Sequence, residues 1–387
     1  MADRVENFPW FLICFNGTRI IKDSYTLKLF KYSKPEILLI ISNFPEISDN
    51  LSKLYSFALI GCGQISVRHT EQIKKYGSVR AVCDINRQKA DQMAASYHSK
   101  AYYHIDEMLR LEKDIDVAVI CTPNGLHAVH TIACLKYGMH VLCEKPMAIT
   151  VNDTRDMMQA AIANNKMLFV VKQNRYNPPV AELKKIIREN TLGAIYSFQI
   201  NCFWNRPKAY YHNSWRGTKA LDGGILFTQF SHFIDLLYWL LGDVKNIHAI
   251  GRNYQHQDCI EFEDAGIVQF EMLNGAIGSL HFTINSFGRN MEGSITILGE
   301  KGTIKIGGQY LNVLEYQHIL DYSVPYLPES KGANDYGFYT GSMSNHDKVY
   351  ENLLIGLDGG AHESAMAEDG IKTVEIIEKI YAGIKSL

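Results

Sequence analysis

Tyr55-Ser56-Phe57-Ala58-Leu59-Ile60-Gly61-Cys62-Gly63-Gln64-Ile65-Ser66 joins a short apolar run to a glycine turn and then to a stretch of helical spacing. Gly61 suits the tight turn out of a strand. Gly63 leaves room for an anion to approach the backbone at a helix N-terminus, where free N–H groups and the helix dipole favour negative charge. Ser66 stands in the third position, where glycine or alanine is usual, and is still small enough for close helix–strand packing. Alone, this G-x-G-x-x-S string is weak. Its context strengthens it: a strand before, a helix over 64–76 after, and a second strand over 79–83 ending at Asp84. Asp84 lies 23 positions past Gly61, near the spacing of a carboxylate that binds a ribose 2′-hydroxyl. Such a carboxylate repels a 2′-phosphate, so NAD is expected rather than NADP. Arg87 is the nearby residue that could accommodate a phosphate. The plainer alternative for Asp84 is a cap on the next helix. Gln64 and Ile65, within the turn, join Gly61, Gly63, Asp84 and Arg87 as expected cofactor contacts.

Outward from this turn the pattern alternates. Strands are predicted at 55–60, 79–83, 117–120, 140–142 and 167–171. Helices are predicted at 64–76, 86–96, 127–137 and 152–164. Strands separated by helical segments imply βαβ units and a parallel sheet covered on both faces. Past Pro178 the grammar changes. A helix at 180–189 leads to strands at 195–203, 247–252, 265–270, 276–285, 294–298 and 302–306, with helices at 224–241 and 367–382. Runs of strands imply a mostly antiparallel sheet in an α+β domain. The expected division is an α/β Rossmann domain over 55–176 and an α+β substrate and oligomerisation domain over 177–387. Residues 1–54 do not share the pattern, despite a β-prone run at 37–41. They are expected to be an extension outside this fold, including an upstream stretch joined by a misplaced start codon; a small extra subdomain is the alternative.

Composition narrows the function. The chain has 387 residues, 47% apolar and 21% charged, with a formal charge of −2 from 39 basic and 41 acidic residues. A globular protein of two or three domains follows. General nucleic-acid binding does not, because its usual footprint is strongly basic. The early apolar run at 8–15 is about half a membrane span, and its acidic lead-in makes a poor signal peptide. Eight cysteines without a C-x-x-C suggest neither a zinc ribbon nor a disulfide framework. A cytoplasmic protein with free thiols, no resident metal and no membrane partner is expected. Cys62, Cys121 and Cys143 near the cofactor crevice are read as packing residues.

Two more strand ends point at that crevice: Cys121-Thr122-Pro123-Asn124-Gly125-Leu126-His127 and Cys143-Glu144-Lys145-Pro146. With Gly61–Ser66 and the Gly223–Asp235 stretch ending His232-Phe233-Ile234-Asp235, they resemble the Gfo/Idh/MocA oxidoreductases. Within that family, Phe203-Trp204-Asn205-Arg206-Pro207, Trp215-Arg216-Gly217-Thr218, 293–303 and 341–352 are similar to the UDP-N-acetylglucosaminuronate 3-dehydrogenases of surface-polysaccharide synthesis. The resemblance covers 55–387. It implies cofactor contacts at Thr122, Asn124, His127, Glu144 and Lys145, a cis Lys145–Pro146 bond, and pairing through the open sheet face into a homodimer or homotetramer.

The chemistry implied is hydride transfer from a sugar carbinol carbon. It needs a proton acceptor and a group that stabilises negative charge on oxygen. His232 is assigned as the base, since imidazole titrates near neutrality, and Lys145 as the group that orients the hydroxyl. The reverse assignment and joint titration stay open. A buried helix histidine and a solvated loop lysine are the plain alternatives. Thr228, His232 and Asp235 share a helix face, so Asp235 is expected to set the imidazole tautomer. The family commonly carries Asp or Asn at the position of Thr228, which puts a direct role there in doubt; Gln229 is expected to bond a sugar hydroxyl.

Between 203 and 221 stand Arg206, Lys208, Arg216 and Lys219 with no acid, beside Trp204, Tyr210, Tyr211 and Trp215. Cations for phosphate or carboxylate beside aromatic faces suit a nucleotide sugar. Arg175 and Tyr176 are added to the expected substrate contacts Arg206, Trp215, Arg216, Thr228, Gln229 and His232. A solvated basic loop is the plain alternative. Oxidation of C3 of a UDP-N-acetylhexosaminuronate is the function these residues and the resemblance imply together. A free-sugar or inositol dehydrogenase, and a non-catalytic NAD-binding sensor, are the alternatives.

Overall fold

The computed structural model describes residues 11–15, 18–22, 27–31, 54–330, 332–337 and 339–384. Residues 1–53 and 54–387 form two separate compact units. In the first, β1 (Phe11–Phe15), β2 (Thr18–Lys22) and β3 (Leu27–Lys31) pair as an antiparallel meander. The run at 37–41 lies outside the described residues.

The second unit begins with β4 (Tyr55–Ile60), whose side chains are nearly all buried because helices cover both faces of the sheet it joins. In chain order follow α1 (Ser66–Tyr76), β5 (Gly77–Cys83), α2 (Arg87–Tyr97), β6 (Lys100–Tyr102), α3 (Ile105–Leu111), β7 (Val117–Ile120), α4 (His127–Lys136), β8 (His140–Cys143), α5 (Val151–Ala163) and β9 (Leu168–Val170). The six strands are parallel in the order β6-β5-β4-β7-β8-β9. The order reverses between β4 and β7, and the crevice outside the carboxyl ends of these strands is where such sheets bind ligands. The short β6 and α3 escape the sequence pattern. Lys100-Ala101-Tyr102 is too short to show a period.

After β9 come α6 (Pro178–Arg188), β10 (Ile195–Phe203), α7 (Ile225–Thr228), α8 (Ser231–Leu241), β11 (Val244–Arg252), β12 (Ala265–Met272), β13 (Ile277–Thr283), β14 (Glu292–Gly299), β15 (Gly302–Gly307) and β16 (Val313–Ile319). The seven strands lie in the order β11-β12-β13-β10-β14-β15-β16. Only the β10–β13 pair is parallel. The expected α/β domain followed by a mostly antiparallel sheet is the observed architecture. A hairpin, β17 (Ala333–Asp335) and β18 (Thr340–Met343), then leads to α9 (His346–Leu357) and α10 (Ala367–Gly383).

One predicted element is corrected. The continuous helix over 224–241 is two helices, α7 and α8, interrupted at 229–230. The break lets Gln229 and His232 face one cleft while Asp235 turns into the core. α8 is apolar almost all round, with Phe233, Ile234, Leu236, Leu237, Leu240 and Leu241 buried between the seven-stranded sheet and its neighbours. The chain returns to the first sheet at 365–366: Val170 N–H donates to the Ala365 carbonyl at 2.9 Å, and Phe169 bridges Met366. No helix among the described residues is long and apolar enough to cross a membrane.

Candidate active site

The glycine turn has the geometry its sequence requires. Gly61 adopts φ +95°, and a Cβ there would meet the Cys121 carbonyl oxygen at 2.6 Å. At Gly63 a Cβ would find no atom within 4 Å: an open cradle sits at the N-terminus of an 11-residue helix with no acid in its first turn. These residues fit a dinucleotide pyrophosphate. Ser66 is buried and donates to the Gly63 carbonyl at 2.5 Å, closing the turn. Asp84 accepts from Cys62 N–H at 2.7 Å and from Asn86 N–H at 2.8 Å. It does not cap α2; Asn86 does, accepting from Lys89 N–H. Asp84 thus ties the glycine turn to the end of β5. Arg87 stacks on the Tyr103 ring.

Beyond the turn a cleft of roughly 910 Å³ of open volume is lined by both halves of the unit, including Gln64, Thr122, Glu144, Lys145, Arg206 and His232. Lys145 and His232 share it. The Lys145–Pro146 bond is cis. The Lys145 ammonium donates to the Thr228 carbonyl at 2.6 Å. Burial is the main cause that brings it down to about 8, with Lys172 and Arg206 adding repulsion. His232 is buried, and burial together with Lys145 and Lys172 holds its imidazole well below the ordinary histidine value. At neutral pH the cleft therefore presents a neutral imidazole and a mostly charged ammonium.

Thr228 answers the doubt raised by its type. Its hydroxyl donates to the Asp222 carboxyl and accepts from Asn124 Nδ2 at 2.9 Å. A carboxyl is thus supplied from six residues upstream. Burial raises Asp222 to about 7. Asn124 also donates to the Asp222 carbonyl, so its amide is spent on joining the two halves of the cleft. His127 sits between the carbonyls of Pro146 at 2.6 Å and Thr122 at 2.9 Å. It lines the cleft, yet both ring nitrogens face backbone, which makes it a support for the two loops. Glu144 lies under the crevice and meets His69 Nε2 at 2.8 Å and His346 Nε2 at 3.6 Å. Burial would raise its carboxyl; the two histidines outweigh that and hold it well below the usual range. The donor atoms of His69, Glu144 and His346 lie within 4.8 Å of one another, a spacing a cation could bridge. His69 is already engaged, by Glu144 and by the Tyr350 hydroxyl at 3.0 Å.

The basic block divides. Arg206, Trp215, Arg216 and Gln229 line the cleft. Arg206 is buried among Trp204, Tyr210 and Tyr339 and donates to Gln229 Oε1 at 2.7 Å. Gln229 is thereby committed to Arg206 and to the Tyr210 hydroxyl. Arg216 lies over Tyr210 and Trp215, and its Nε is buried without a partner. Among the described residues neither arginine has a carboxylate within ion-pair distance.

Arg175 and Tyr176 are corrections. Arg175 makes two bonds to Asp235, at 2.9 and 2.7 Å, a third to Asp369 at 3.1 Å, and faces Trp239. Tyr176 donates to the Glu363 carbonyl. Neither lines the cleft, because the turn at Gln173–Tyr176 points them into the core and towards α10. Asp235 is likewise not bonded to His232; Arg175 and Lys172 occupy it. The cleft also holds Gln173, Asn334, Tyr336, Tyr339 and Ser342, all missing from the sequence reading. The β17–β18 hairpin that carries four of them has no apolar period to announce it. The three thiols at 62, 121 and 143 are buried; burial pushes Cys62 up to about 12 and raises the other two as well.

The glycine turn and the strand-order reversal define a dinucleotide-binding α/β fold, with Lys145 and His232 both lining its cleft. Residues 55–172 match the oxidoreductase family with an NAD-binding Rossmann fold, and 180–305 match the GFO/IDH/MocA C-terminal domain. The chain belongs to the GFO/IDH/MocA oxidoreductases. The WlbA dehydrogenase of Bordetella pertussis, solved with NADH and UDP-GlcNAcA, is 32% identical with a TM-score of 0.77, covering 86% of this chain and 96% of that one. Its counterpart from Chromobacterium violaceum, solved with the same two molecules, is also 32% identical with a TM-score of 0.77, covering 89% and 96%. A levoglucosan dehydrogenase from Pseudarthrobacter phenanthrenivorans is 31% identical over 218 residues, 50% of this chain and 55% of that protein. The chain spans about half the length of the first curated relatives it matches.

Proposed function

We propose that the protein oxidises a sugar hydroxyl to a ketone with NAD, at C3 of a UDP-N-acetylhexosaminuronate. The observation that carries the substrate class is the pair Arg206 and Arg216, which line the cleft with Lys145 and His232 and, among the described residues, have no carboxylate within ion-pair distance. A diphosphate or a uronate carboxylate complements them. The flanking Trp215, Tyr210 and Tyr339 offer faces for a base or a sugar. Similarity to the two WlbA structures supports the same reading.

When bound, oxidised nicotinamide supplies the hydride acceptor. The chain's own groups manage the proton and the charge. His232, neutral at pH 7, accepts the hydroxyl proton. Lys145, charged at pH 7, orients the hydroxyl and stabilises oxygen as negative charge develops. This assignment fixes the sign of the pH dependence. An ammonium that titrates at about 8 is lost as pH rises, so kcat/KM falls about tenfold per unit above that value. A limb that instead rises through the same pH makes Lys145 the base.

NADH formation across a panel of UDP-sugars, with and without a C6 carboxylate, tests the substrate. Turnover is expected only with the UDP-linked uronate. Arg216→Met is expected to raise its KM about 10- to 100-fold, the loss of a charge-assisted bond. Equal turnover of free sugars or inositol favours the reading suggested by the levoglucosan relative. The seven-stranded sheet exposes Tyr196, Ile250, Ile267, Ile277, Leu298 and Tyr316. A second copy of the chain is the partner proposed for that face.

A further inference from the structure

Two polar side chains meet the Nε2 atom of His232. Gln173 Nε2 lies 3.4 Å from it and Ser342 Oγ 3.3 Å. Gln173 Nε2 also donates to Ser342 Oγ at 3.0 Å. The three residues come from the turn after β9, from β18 and from α8, so this is a convergence of distant elements. The Gln173 backbone is held in turn by Asn345 Nδ2, which donates to its carbonyl at 3.3 Å.

An amide N–H donates and cannot accept. A proton on His232 Nε2 would therefore face the Gln173 amide donor to donor. With a lone pair on Nε2, the Ser342 hydroxyl receives from Gln173 and gives its own proton to the ring. The ring proton then resides on Nδ1. This arrangement leaves Gln173 Oε1 buried in the cleft without a partner, an acceptor available to a second sugar hydroxyl or an amide N–H of the ligand. Rotating the amide by half a turn would reverse the logic. It would place an oxygen against Nε2–H and strand two donors instead of one acceptor.

We propose that Gln173 and Ser342 are positioning residues that hold His232 in the Nδ1–H tautomer, with the Nε2 lone pair aimed at the substrate hydroxyl. The inference rests on the reading of His232 as the proton acceptor. On binding, the carbinol O–H replaces Ser342 as the donor to Nε2. Its proton passes to that nitrogen, the O–H electron pair becomes part of the new C=O bond, and the C–H pair leaves as hydride to the nicotinamide. The imidazolium so formed carries the proton away from the ketone. Burial and the nearby Lys145 and Lys172 cations keep the ring neutral beforehand.

The test is the ¹⁵N spectrum of histidine-labelled protein with NAD bound and no sugar, the His232 signal being assigned with His232→Gln. The expected result is a pyridine-type shift for Nε2 and a pyrrole-type shift for Nδ1. Ser342→Ala is expected to mix the tautomers and lower kcat about tenfold with NAD affinity unchanged. Ser342→Thr, which keeps the hydroxyl, is expected to restore both. A pyrrole-type Nε2 in the unaltered protein overturns the proposal, as does Ser342→Ala with an unchanged spectrum. The spectrum needs no turnover. Full activity in His232→Ala would strike at the catalytic reading instead, leaving the tautomer result to stand by itself.

Discussion

Lys145→Met is expected to lower kcat by 10²- to 10⁴-fold while NAD still binds. Methionine keeps the length and apolar body of the side chain and removes the ammonium that donates to the Thr228 carbonyl. The glycine turn, Asp84 and the open cradle at Gly63 share no hydrogen bond with the Lys145 side chain, so the substitution removes none of their contacts. His232→Ala should fall in the same range. The double variant should be little worse than either single one, because groups that act in one step are not additive. Single-turnover kinetics with the UDP-linked uronate measure the loss, and calorimetric titration with NAD checks that the fold is intact. Turnover within a few-fold of normal in both single variants would remove Lys145 and His232 from the chemistry.

Asp235→Asn should destabilise the protein by about 3–5 kcal/mol. The shape is kept, but Arg175 and Lys172 are left as buried cations facing a neutral amide. Asp235 is 2% exposed, with Arg175 at 2.7 Å and Lys172 at 3.2 Å. Asp369 reaches Arg175 at 3.1 Å but is itself partly exposed and cannot replace it. Burial would raise the Asp235 carboxyl; the two cations outweigh it and hold it at about 2. A depressed carboxylate contributes fully above its unfolded value of about 4 and loses that contribution as pH falls towards 2. Urea unfolding at pH 7 and at pH 3 tests both statements. A loss below about 1 kcal/mol at pH 7 would mean that the three-charge cluster is dispensable.

Local motifs were readable and distant partnerships were not. Gly61, Gly63 and Asp84 sit in one strand–turn–helix–strand string, and their geometry follows from that order. Lys145 and His232 sit in strings whose types and spacing point at chemistry. Arg175 is the opposite case. An arginine near aromatics looks like a ligand contact until its carboxylates are known, and those lie at 235 and 369. Gln229 and Asn124 line the cleft, but most of their polar capacity is used on Arg206, Tyr210, Thr228 and the Asp222 carbonyl. His69 and His346 look like isolated histidines in sequence and meet only when α1 and α9 pack against the end of β8. The hairpin at 333–343 is short, and its aromatic residues and glycines fall at no regular interval, so neither a period of two nor of 3.6 could mark it.

β9 is the edge of the parallel sheet, and its outer side is closed by the backbone at 365–366. During synthesis nearly two hundred further residues must leave the ribosome before that edge finds its partner. Until then Val170 offers an unpaired N–H beside an apolar strand, a template for pairing with other nascent chains. The first domain alone, expressed without the segment that carries Ala365 and Met366, should be prone to aggregate, and the intact chain should depend on chaperone cover late in translation.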